Sequence, residues 1–293
     1  MSNESAYFHG SGYWAVILGG SSGFGLATAQ KLASEGMNLF ILHRDRRKDL
    51  PAFEQHLSAM RQQGVKVMSM NADAIQPEAI SAALDVLQAE LGSSGKVRLL
   101  LHAISKGNLK LMAPLSEEAQ KGDHGLQSEL IAHISEQWDG EPPLLSRTDF
   151  QLTIEAMALS LGDWVQMLFE RKCFAADARV IGLTSEGNRK SWRSYAAVSA
   201  AKVALESLCR SMALEFAPHG IRCNVVQPGV TDTPSLRMIP GSEMLLQNAA
   251  MRNPFGRTTR TEEVANVIYL LSRDEASWIN GALIPVDGGE KNQ

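Results

Sequence analysis

A tyrosine and a lysine, Tyr195 and Lys202, stand seven residues apart in a stretch typical of an amphipathic helix. Seven residues make about two turns of helix, so both side chains point to the same side. A phenol above an ammonium could act as a proton donor with an electrostatic partner, because a nearby positive charge lowers the pKa of a phenol. The alternative is an ordinary amphipathic helix on which these polar residues are incidental.

A glycine-rich segment follows the first apolar run of the chain. We predict Tyr13–Leu18 as a buried strand and Ala27–Glu35 as the helix after it. Glycines at such a turn let the backbone approach a ligand closely, and the free N–H groups of the helix start attract a diphosphate. This context favours a dinucleotide site over a simple tight turn. The predicted contact residues are Gly19, Ser21, Ser22, Gly23, Phe24 and Gly25.

The end of the second predicted strand bears on the choice of cofactor. A carboxylate there would bind the ribose of NAD, whereas an arginine would bind the 2′-phosphate of NADP. His43 ends the strand and Arg44 follows it, ahead of Asp45 and further cations. Because a guanidinium pairs well with a phosphate, the sequence predicts NADPH, with His43 and Arg44 at its adenosine end. For Arg47 and Lys48, a solvated helix start is the simpler interpretation.

Predicted strands and helices alternate along the chain, without hairpin signals. Such alternation indicates parallel strands joined by right-handed crossovers, and strands as apolar as WAVIL and VRLLL suit a sheet that is covered on both faces. We therefore predict one α/β domain over residues 1–293, a Rossmann-type, doubly wound, mostly parallel sheet of seven strands with helices on both faces. The further predicted strands are Asn38–His43, Val65–Met70, Val97–Ala103, Ala178–Thr184, Ile221–Val226 and Leu283–Val286, and the further helices are Arg46–Gln63, Pro77–Leu91, Phe150–Arg171 and Tyr195–Phe216.

Two segments depart from this alternation. Residues 104–148 are polar and are predicted to be an insertion: either a flap over the active site or a surface excursion with one short helix near Gln127–Glu136. Residues 234–252 begin with an apolar stretch that includes Leu236 and Ile239. They are predicted to cover a substrate, although an ordinary surface helix is the alternative.

Composition excludes several classes of function. The 293 residues carry a formal net charge of −4, which does not favour nucleic acid or a charged membrane as the main partner. The three cysteines lack the spacing of metal ligands or of a disulfide framework, and no apolar run is long enough for a membrane helix. The N-terminus does not resemble a signal peptide. We expect a cytoplasmic protein without a metal.

Five motifs in chain order resemble the short-chain dehydrogenase/reductase superfamily. They are the glycine spacing G-x-x-x-G-x-G, Asn71-Ala72-Asp73, His102-Ala103-Ile104, the Pro228-Gly229 loop and Val286-Asp287-Gly288-Gly289. The resemblance implies an adenine contact at Asp73 and a loop over the nicotinamide after Pro228. The cofactor-binding residues implied by it are Asp73, Ala74, His102, Ala103, Thr184, Lys202, Pro228, Gly229, Val230, Thr231 and Thr233.

Departures from the usual motifs of the superfamily restrict the resemblance to one of its branches. Ordinary members have a Tyr-x-x-x-Lys pair, but Val198 occupies that tyrosine position and Tyr195 stands one turn earlier. The Tyr-x6-Lys spacing is similar to that of the enoyl-acyl-carrier-protein reductases. Met157 or a neighbour stands where ordinary members carry a catalytic asparagine, and enoyl reductases also lack that asparagine.

The resemblance implies reduction of the C=C bond of an α,β-unsaturated acyl thioester, as in fatty acid biosynthesis. Tyr195 would stabilise the negative charge on the thioester oxygen, Lys202 would bind the nicotinamide ribose, and Ser185 could donate a second hydrogen bond. Ser185 stands where many enoyl reductases have a second tyrosine, and carbonyl reductases also have a serine at about this point. A carbonyl reductase or alcohol dehydrogenase is therefore the second hypothesis, and a non-catalytic dinucleotide sensor is the third.

The resemblance also implies partners. Members of the superfamily usually pair their long helices into homodimers and homotetramers. A basic cluster, formed by Arg189, Lys190 and Arg193, precedes Tyr195 and could receive an acidic acyl carrier protein or a coenzyme A phosphate. A solvated surface cluster is the alternative.

Overall fold

Seven parallel strands form one sheet in the order β3-β2-β1-β4-β5-β6-β7. The architecture comes from a computed structural model, which describes residues 6–114, 144–239 and 242–292. It confirms the predicted fold class, and the strands lie close to their predicted positions. Their bounds are β1 (Tyr13–Leu18), β2 (Asn38–His43), β3 (Val67–Asn71), β4 (Lys96–His102), β5 (Phe174–Leu183), β6 (Ile221–Pro228) and β7 (Leu283–Val286).

Successive residues of the central strands pack into two separate cores. In β1, Val16 and Leu18 lie in one core, whereas Ala15 and Ile17 lie in the other. Neighbouring side chains of a strand point to opposite faces, so a strand that is covered on both faces must be apolar throughout. This is the physical reason for the uninterrupted apolar runs in the sequence.

Helices cover both faces of the sheet. One core includes residues of α3, α5 and α6, and the other includes residues of α1, α2 and α9. The helix bounds are α1 (Gly23–Ser34), α2 (Leu50–Arg61), α3 (Pro77–Leu91), α4 (Arg147–Ile154), α5 (Ser160–Glu170), α6 (Ala196–Glu215), α7 (Pro234–Arg237), α8 (Ser242–Arg252) and α9 (Thr261–Ser272).

Several helices differ from their predicted bounds, and α2 begins at Leu50 rather than Arg46. Helix α1 begins at Gly23 rather than Ala27, because the last part of the glycine-rich segment is itself the first helical turn. The predicted helix Phe150–Arg171 begins earlier, since Ser146 and Asp149 form a capping box, and a π-helical turn (Glu155–Leu159) divides it into α4 and α5. The sequence analysis does not include α9, although Val264, Ala265, Ile268 and Leu271 have the spacing of a buried helical face.

The polar insertion is only partly described. The short helix predicted near Gln127–Glu136 lies outside the described residues. The first part, residues 104–114, is attached to α4, because Asn108 Nδ2 and Lys110 Nζ both donate to Asp149 Oδ1, at 2.8 and 2.9 Å. Asn108 N also donates to Thr153 Oγ1. Among the residues that the structure describes, no helix is both long enough and apolar enough to cross a membrane.

A buried arginine cluster joins three strands to the end of α9. Arg98 and Arg179 are each 1% exposed, and both donate to the carboxylate of Asp177, Arg98 at 2.8 Å. Arg222 also donates to this carboxylate. Arg98 Nε reaches the carbonyl oxygen of Ser272, the last residue of α9, at 2.9 Å. Asp177 therefore compensates the buried guanidinium of Arg179, and it shares that of Arg98 with Asp274, whose Oδ1 lies 2.6 Å from Arg98 Nη2.

We expect Asp177→Asn to destabilise the fold by about 3 kcal/mol at neutral pH, because it leaves the buried Arg179 guanidinium without a counter-charge and Arg98 with Asp274 alone. Burial raises the pKa of the Asp177 carboxyl, but Arg179, Arg98 and Arg222 lower it below its ordinary value. The ion pairs therefore stabilise the fold above the ordinary aspartate pKa, and their contribution is lost as pH falls through the lower, folded-state value.

Urea unfolding of the wild type and the variant at several pH values measures this difference. The control is Glu54→Gln, which breaks an exposed ion pair with Arg61 and should change the free energy of unfolding by less than about 1 kcal/mol. Equal stability of Asp177→Asn and the wild type at pH 7 would contradict the assignment.

Candidate active site

A long groove crosses the carboxyl ends of β1 and β4. From this pair, the chain adds β2 and β3 on one side of the sheet and β5, β6 and β7 on the other. Open α/β sheets bind ligands at this point. Most of the predicted cofactor-binding residues line the groove, and their contact with a cofactor stays a prediction. They are Gly19, Ser21, Ser22, Gly23, Phe24, His43, Arg44, Asp73, Ala74, Ala103, Thr184, Lys202, Pro228, Gly229, Val230, Thr231 and Thr233.

The phosphate end of the groove is made by the glycine loop and the start of α1. Gly19 has a φ of +84°, and a Cβ there would lie 2.9 Å from the carbonyl oxygen of Ala103. Ser22 is the N-cap residue of α1, yet its side chain makes no capping hydrogen bond, and the first turn contains no acidic residue. The N–H groups of this turn are thus left for an anionic ligand, so the loop fits a dinucleotide diphosphate.

Gly25 does not line the groove, and its predicted contact with the cofactor stays a prediction. A Cβ at this position would lie 2.1 Å from the carbonyl oxygen of Gly19, which is far inside van der Waals contact. The glycine is therefore required for the close packing of α1 against the loop. Its effect on a bound dinucleotide is indirect.

Two cations converge on one carboxylate at the adenosine end. Arg44 Nη1 lies 3.1 Å from Asp73 Oδ2, and Lys106 Nζ lies 3.4 Å from the same oxygen. The Arg44 side chain is 59% exposed, so it can reach a ligand in the groove. The sequence analysis did not identify Lys106, because a single lysine in a polar insertion carries no positional signal.

Asp45 lies beside these cations and is held by its neighbours. Ser21 Oγ donates to Asp45 Oδ1 at 2.8 Å, and the Nδ1 atom of His43 lies 3.0 Å from Asp45 Oδ2. Burial lowers the pKa of His43, although Asp45 opposes this shift. The imidazole is therefore neutral at physiological pH. His43 would contact the adenosine part of a cofactor without contributing a charge.

The three predicted catalytic residues lie together at the opposite end of the groove. Tyr195 is the N-cap residue of α6, and its hydroxyl donates to Ser185 Oγ at 3.2 Å. Ser185 Oγ also accepts from Gly187 N, so the Ser185 hydroxyl hydrogen is left to donate to another group. The Lys202 ammonium, two turns along α6, donates to the carbonyl oxygen of Leu183 at 2.9 Å.

Burial controls the protonation of this pair. The expected lowering of the Tyr195 pKa is wrong: burial raises it, and the hydrogen bond to Ser185 offsets only part of the shift. Burial also lowers the pKa of Lys202 to about 8. At neutral pH the phenol therefore keeps its proton, and the ammonium remains mostly charged.

A buried polar network, which the sequence analysis did not identify, supports the loop after β5. The hydroxyl of Thr184 donates to Glu206 Oε1 at 2.7 Å, and Asn188 Nδ2 donates to the same oxygen. Glu206 lies one turn after Lys202 on α6, so a carboxylate at that position in an otherwise apolar helix face is a signal available in the sequence. The network fixes the loop that carries Ser185.

His102 does not line the groove, and its predicted contact with the cofactor stays a prediction. Its ring is buried at the end of β4, and Nε2 lies 2.9 Å from Ser160 Oγ on α5. Burial and the charge of Lys202 lower the pKa of His102 to about 3, so the ring is neutral. Its neighbour Ala103 lines the groove instead, because successive residues point to opposite sides.

The 228–230 loop and the threonines after it line the groove beside Lys202. The Thr231 hydroxyl donates to the carbonyl oxygen of Gly229 at 2.9 Å, and Thr233 Oγ1 accepts from Leu236 N as the cap of α7. Both hydroxyls thus have local roles. The Thr233 hydroxyl hydrogen is left for a ligand near the glycine loop, since its Cγ2 is 3.5 Å from a Cβ placed on Gly23.

A second, mainly apolar pocket adjoins the groove. The two cavities share walls at Ser185 and Tyr195, so a molecule in the apolar pocket meets both hydroxyls. Trp192 and Leu109 lie on other walls, and α8 contributes Leu245 and Asn248. The segment predicted to cover a substrate therefore does line this pocket.

An apolar cluster contains Val198, predicted to stand at the position of the usual catalytic tyrosine, and Met157, which with its neighbours is predicted for that of the asparagine. Val198 and Met157 are buried together with Ala201, and Tyr195 packs against this cluster. A Cβ at Gly107 would lie 2.9 Å from Val198 Cγ2 and 3.0 Å from Met157 Cε, so the 104–114 segment packs tightly on the same cluster. Neither position can donate or accept a proton.

A groove suited to a dinucleotide that ends at a half-buried tyrosine and serine and a buried lysine, beside an apolar pocket, defines an oxidoreductase of the α/β class. Residues 13–121 match the family model described as "short chain dehydrogenase", and residues 129–291 match the model described as "Enoyl-(Acyl carrier protein) reductase". The chain belongs to the short-chain dehydrogenase/reductase family.

Individual relatives carry different activities. The chain is 28% identical to cis-4-hydroxycyclohexanecarboxylate dehydrogenase of Sinomonas cyclohexanicum, over 94% of this chain and 95% of that protein. It is 25% identical to 1-cyclohexenylcarbonyl-CoA reductase of Streptomyces collinus, over 94% and 85%. A short-chain dehydrogenase of Burkholderia cenocepacia solved in complex with NADP shares the fold, with a TM-score of 0.72, 21% identity and coverage of 96% and 98%.

We expect Gly25→Ala to weaken dinucleotide binding and to destabilise the fold by about 2 kcal/mol or more, because the new methyl group forces α1 away from the glycine loop. The control is Gly162→Ala within α5, where a Cβ would meet only the flexible Leu208 side chain at 3.3 Å. Thermal unfolding and titration with NADP⁺ measure both effects. If Gly25→Ala matches the wild type in both, the packing role is wrong.

Proposed function

We propose that the protein reduces the C=C bond of an α,β-unsaturated acyl thioester with NADPH. The observation that supports this most is the contact between Tyr195 and Ser185 on the wall shared by the groove and the apolar pocket, with Tyr195 seven residues before Lys202. Two hydroxyls at that junction can both turn toward one substrate oxygen. That oxygen is where negative charge develops when hydride adds to the β-carbon, and the resulting enolate then takes a proton from water at its α-carbon.

Each catalytic residue has a separate role in this proposal. The nicotinamide cofactor supplies the hydride when it is bound. Tyr195 donates a hydrogen bond to the thioester oxygen, and its raised pKa keeps the phenol protonated until charge develops there. Ser185 donates a second hydrogen bond to the same oxygen. Lys202 is held below the groove by Leu183 and orients the ribose that lies over it.

The apolar pocket suits the acyl part of such a substrate. Glu186, Arg193 and Arg252 lie on its walls as well, but most of its surface is apolar, so burial of a hydrocarbon chain or ring is favourable. The main apolar residues are Leu109, Trp192, Leu236 and Leu245. The description of the second family model and the S. collinus relative agree with C=C reduction. The S. cyclohexanicum relative favours a second candidate, a carbonyl reductase or alcohol dehydrogenase that uses the same Tyr195 as its proton donor.

The proposed cofactor is NADPH rather than NADH. Arg44 and Lys106 place two cations at the adenosine end, where the 2′-phosphate of NADPH would add negative charge. Both cations lie against Asp73 Oδ2, which holds them at the groove.

The proposed assembly is a homodimer or homotetramer that acts in the cytoplasm, in fatty acid biosynthesis or a related acyl pathway. Leu152, Leu159, Val203 and Leu214 are large apolar residues of α4, the π-helical turn and α6 that are exposed in the single chain, as expected if these helices pair between subunits. The basic cluster of Arg189, Lys190 and Arg193 stays a proposed contact for an acyl carrier protein or coenzyme A. Within it, Lys190 already pairs with Glu186 at 3.1 Å.

We expect Tyr195→Phe to lower kcat for the reduction of crotonyl-CoA by about 100-fold or more, because the variant cannot donate a hydrogen bond to the thioester oxygen. NADPH oxidation followed by absorbance measures this rate, and NADP⁺ affinity should stay unchanged. The control is Tyr13→Phe, at the amino-terminal edge of the sheet. If the wild type oxidises NADPH with acetoacetyl-CoA but not with crotonyl-CoA, the second candidate replaces the first.

We expect Arg44→Ala to weaken NADPH binding by about tenfold or more and to leave NADH binding nearly unchanged, because only NADPH carries the phosphate that the guanidinium would meet. Titration calorimetry with both nucleotides measures this ratio. Arg47→Ala is the matched control, since Arg47 is exposed and does not line the groove. An equal loss for the two nucleotides would contradict the role of Arg44.

A further inference from the structure

The buried carboxylate of Glu290 connects two parts of the active site. Glu290 is 1% exposed and follows the last strand of the sheet. Its Oε2 atom accepts a hydrogen bond from the backbone N–H of Val230 at 3.1 Å, and its Oε1 atom accepts one from Arg252 Nη2 at 2.7 Å. One oxygen thus contacts the 228–230 loop of the cofactor groove, and the other contacts the last residue of α8.

The carboxylate is packed directly against the 228–230 loop. A Cβ on Gly229 would lie 2.8 Å from Glu290 Oε2 and 2.4 Å from Thr259 Oγ1, so only a glycine leaves room for these groups. Gly229 N also donates to the carbonyl oxygen of Val286, at 3.0 Å. A shift of the loop therefore moves the carboxylate with it.

Arg252 extends this connection to the catalytic serine. The same Nη2 atom donates to Glu186 Oε1 at 2.7 Å, and Glu186 directly follows Ser185. Arg252 itself lines the apolar pocket. One guanidinium thus bridges the C-terminal segment and the Ser185 loop across a wall of the acyl pocket.

Helix α8 has few other attachments to the rest of the chain. Ala249 is the one fully buried residue among its described members. Asn253, directly after the helix, donates to the carbonyl oxygen of Asp287 at 2.8 Å, which fastens the same end of the helix to the same C-terminal segment. With so little apolar burial, the position of α8 over the pocket depends on these polar contacts.

We propose that Glu290 and Arg252 are positioning residues that couple the cofactor groove to the acyl pocket. A dinucleotide bound in the groove would hold the 228–230 loop and with it the Val230 N–H, which positions the Glu290 carboxylate. Glu290 would in turn hold Arg252 and therefore the helix α8 that covers the pocket. By linkage, the cover in turn strengthens dinucleotide binding. The proposal rests on the nicotinamide cofactor of the proposed function, but not on which bond of the substrate is reduced.

Hydrogen exchange of the full-length protein with and without saturating NADP⁺ tests this coupling; NAD⁺ is used if NADP⁺ does not bind. Residues 242–252 contribute no wall to the groove itself. Slower exchange in this segment would therefore report an effect passed through the protein rather than direct contact with the dinucleotide. We expect NADP⁺ to slow exchange in this segment by about tenfold in the wild type, and to have little effect there in Glu290→Gln and in Arg252→Met. Residues 19–26 should be protected in all three proteins.

The matched control is Arg257→Met, which removes an exposed arginine paired with Glu263 and should retain full protection of residues 242–252. Unfolding midpoints identify any variant that fails to fold, and either of the two variants suffices for the test. The proposal is overturned if the folded variants protect this segment as well as the wild type does, or if the wild type protects residues 19–26 alone. The substrate assays with crotonyl-CoA and acetoacetyl-CoA are scored separately, so a failure of the proposed function is distinguishable from a failure of the coupling.

Discussion

The buried hydrogen bond from the Lys202 ammonium to the carbonyl oxygen of Leu183 is the interaction on which the arrangement of the active site depends. Lys202 is only 8% exposed, and a buried ammonium is tolerated only where an acceptor is fixed in place. The acceptor is the last residue of β5, and α6 can pack closely there because Gly182 leaves room for Leu205. The positions of β5, α6 and Lys202 are therefore fixed relative to one another. This places Tyr195, at the start of α6, at the mouth of the groove.

The apolar residues around the pair give the site its chemical character. Val198 stands at the predicted position of the tyrosine of ordinary family members, and Met157 or a neighbour at that of their asparagine. Since neither Val198 nor Met157 can transfer a proton, we propose that Tyr195, one turn before Val198, and Ser185 donate to the substrate oxygen. The substrate oxygen is then expected near the junction of the two cavities. This location, together with the pocket, is the physical basis for the proposed enoyl reduction.

Much of the fold and part of the site could be predicted from the sequence, because they depend on local patterns. Apolar runs predict the strands, and the position of the glycine loop between β1 and α1 predicts the dinucleotide groove. The packing of Gly25 and His102 and the raised pKa of Tyr195 could not be predicted, for one shared reason. Their roles depend on what packs against them: the Gly19 carbonyl, Ser160 and the buried surroundings of the phenol. Glu290 and Arg252 are distant in sequence, so their contact carries no signal in a single chain.

The central claim is that hydride is added to a carbon–carbon double bond whose conjugated oxygen is held by Tyr195. The most direct measurement is NMR of the product formed from crotonyl-CoA and NADPH that carries deuterium at its transferring position. The account predicts a saturated thioester with the deuterium on the β-carbon. The account is contradicted if crotonyl-CoA remains unchanged while a ketone or aldehyde, tested in the same way, gives an alcohol with deuterium on its carbinol carbon.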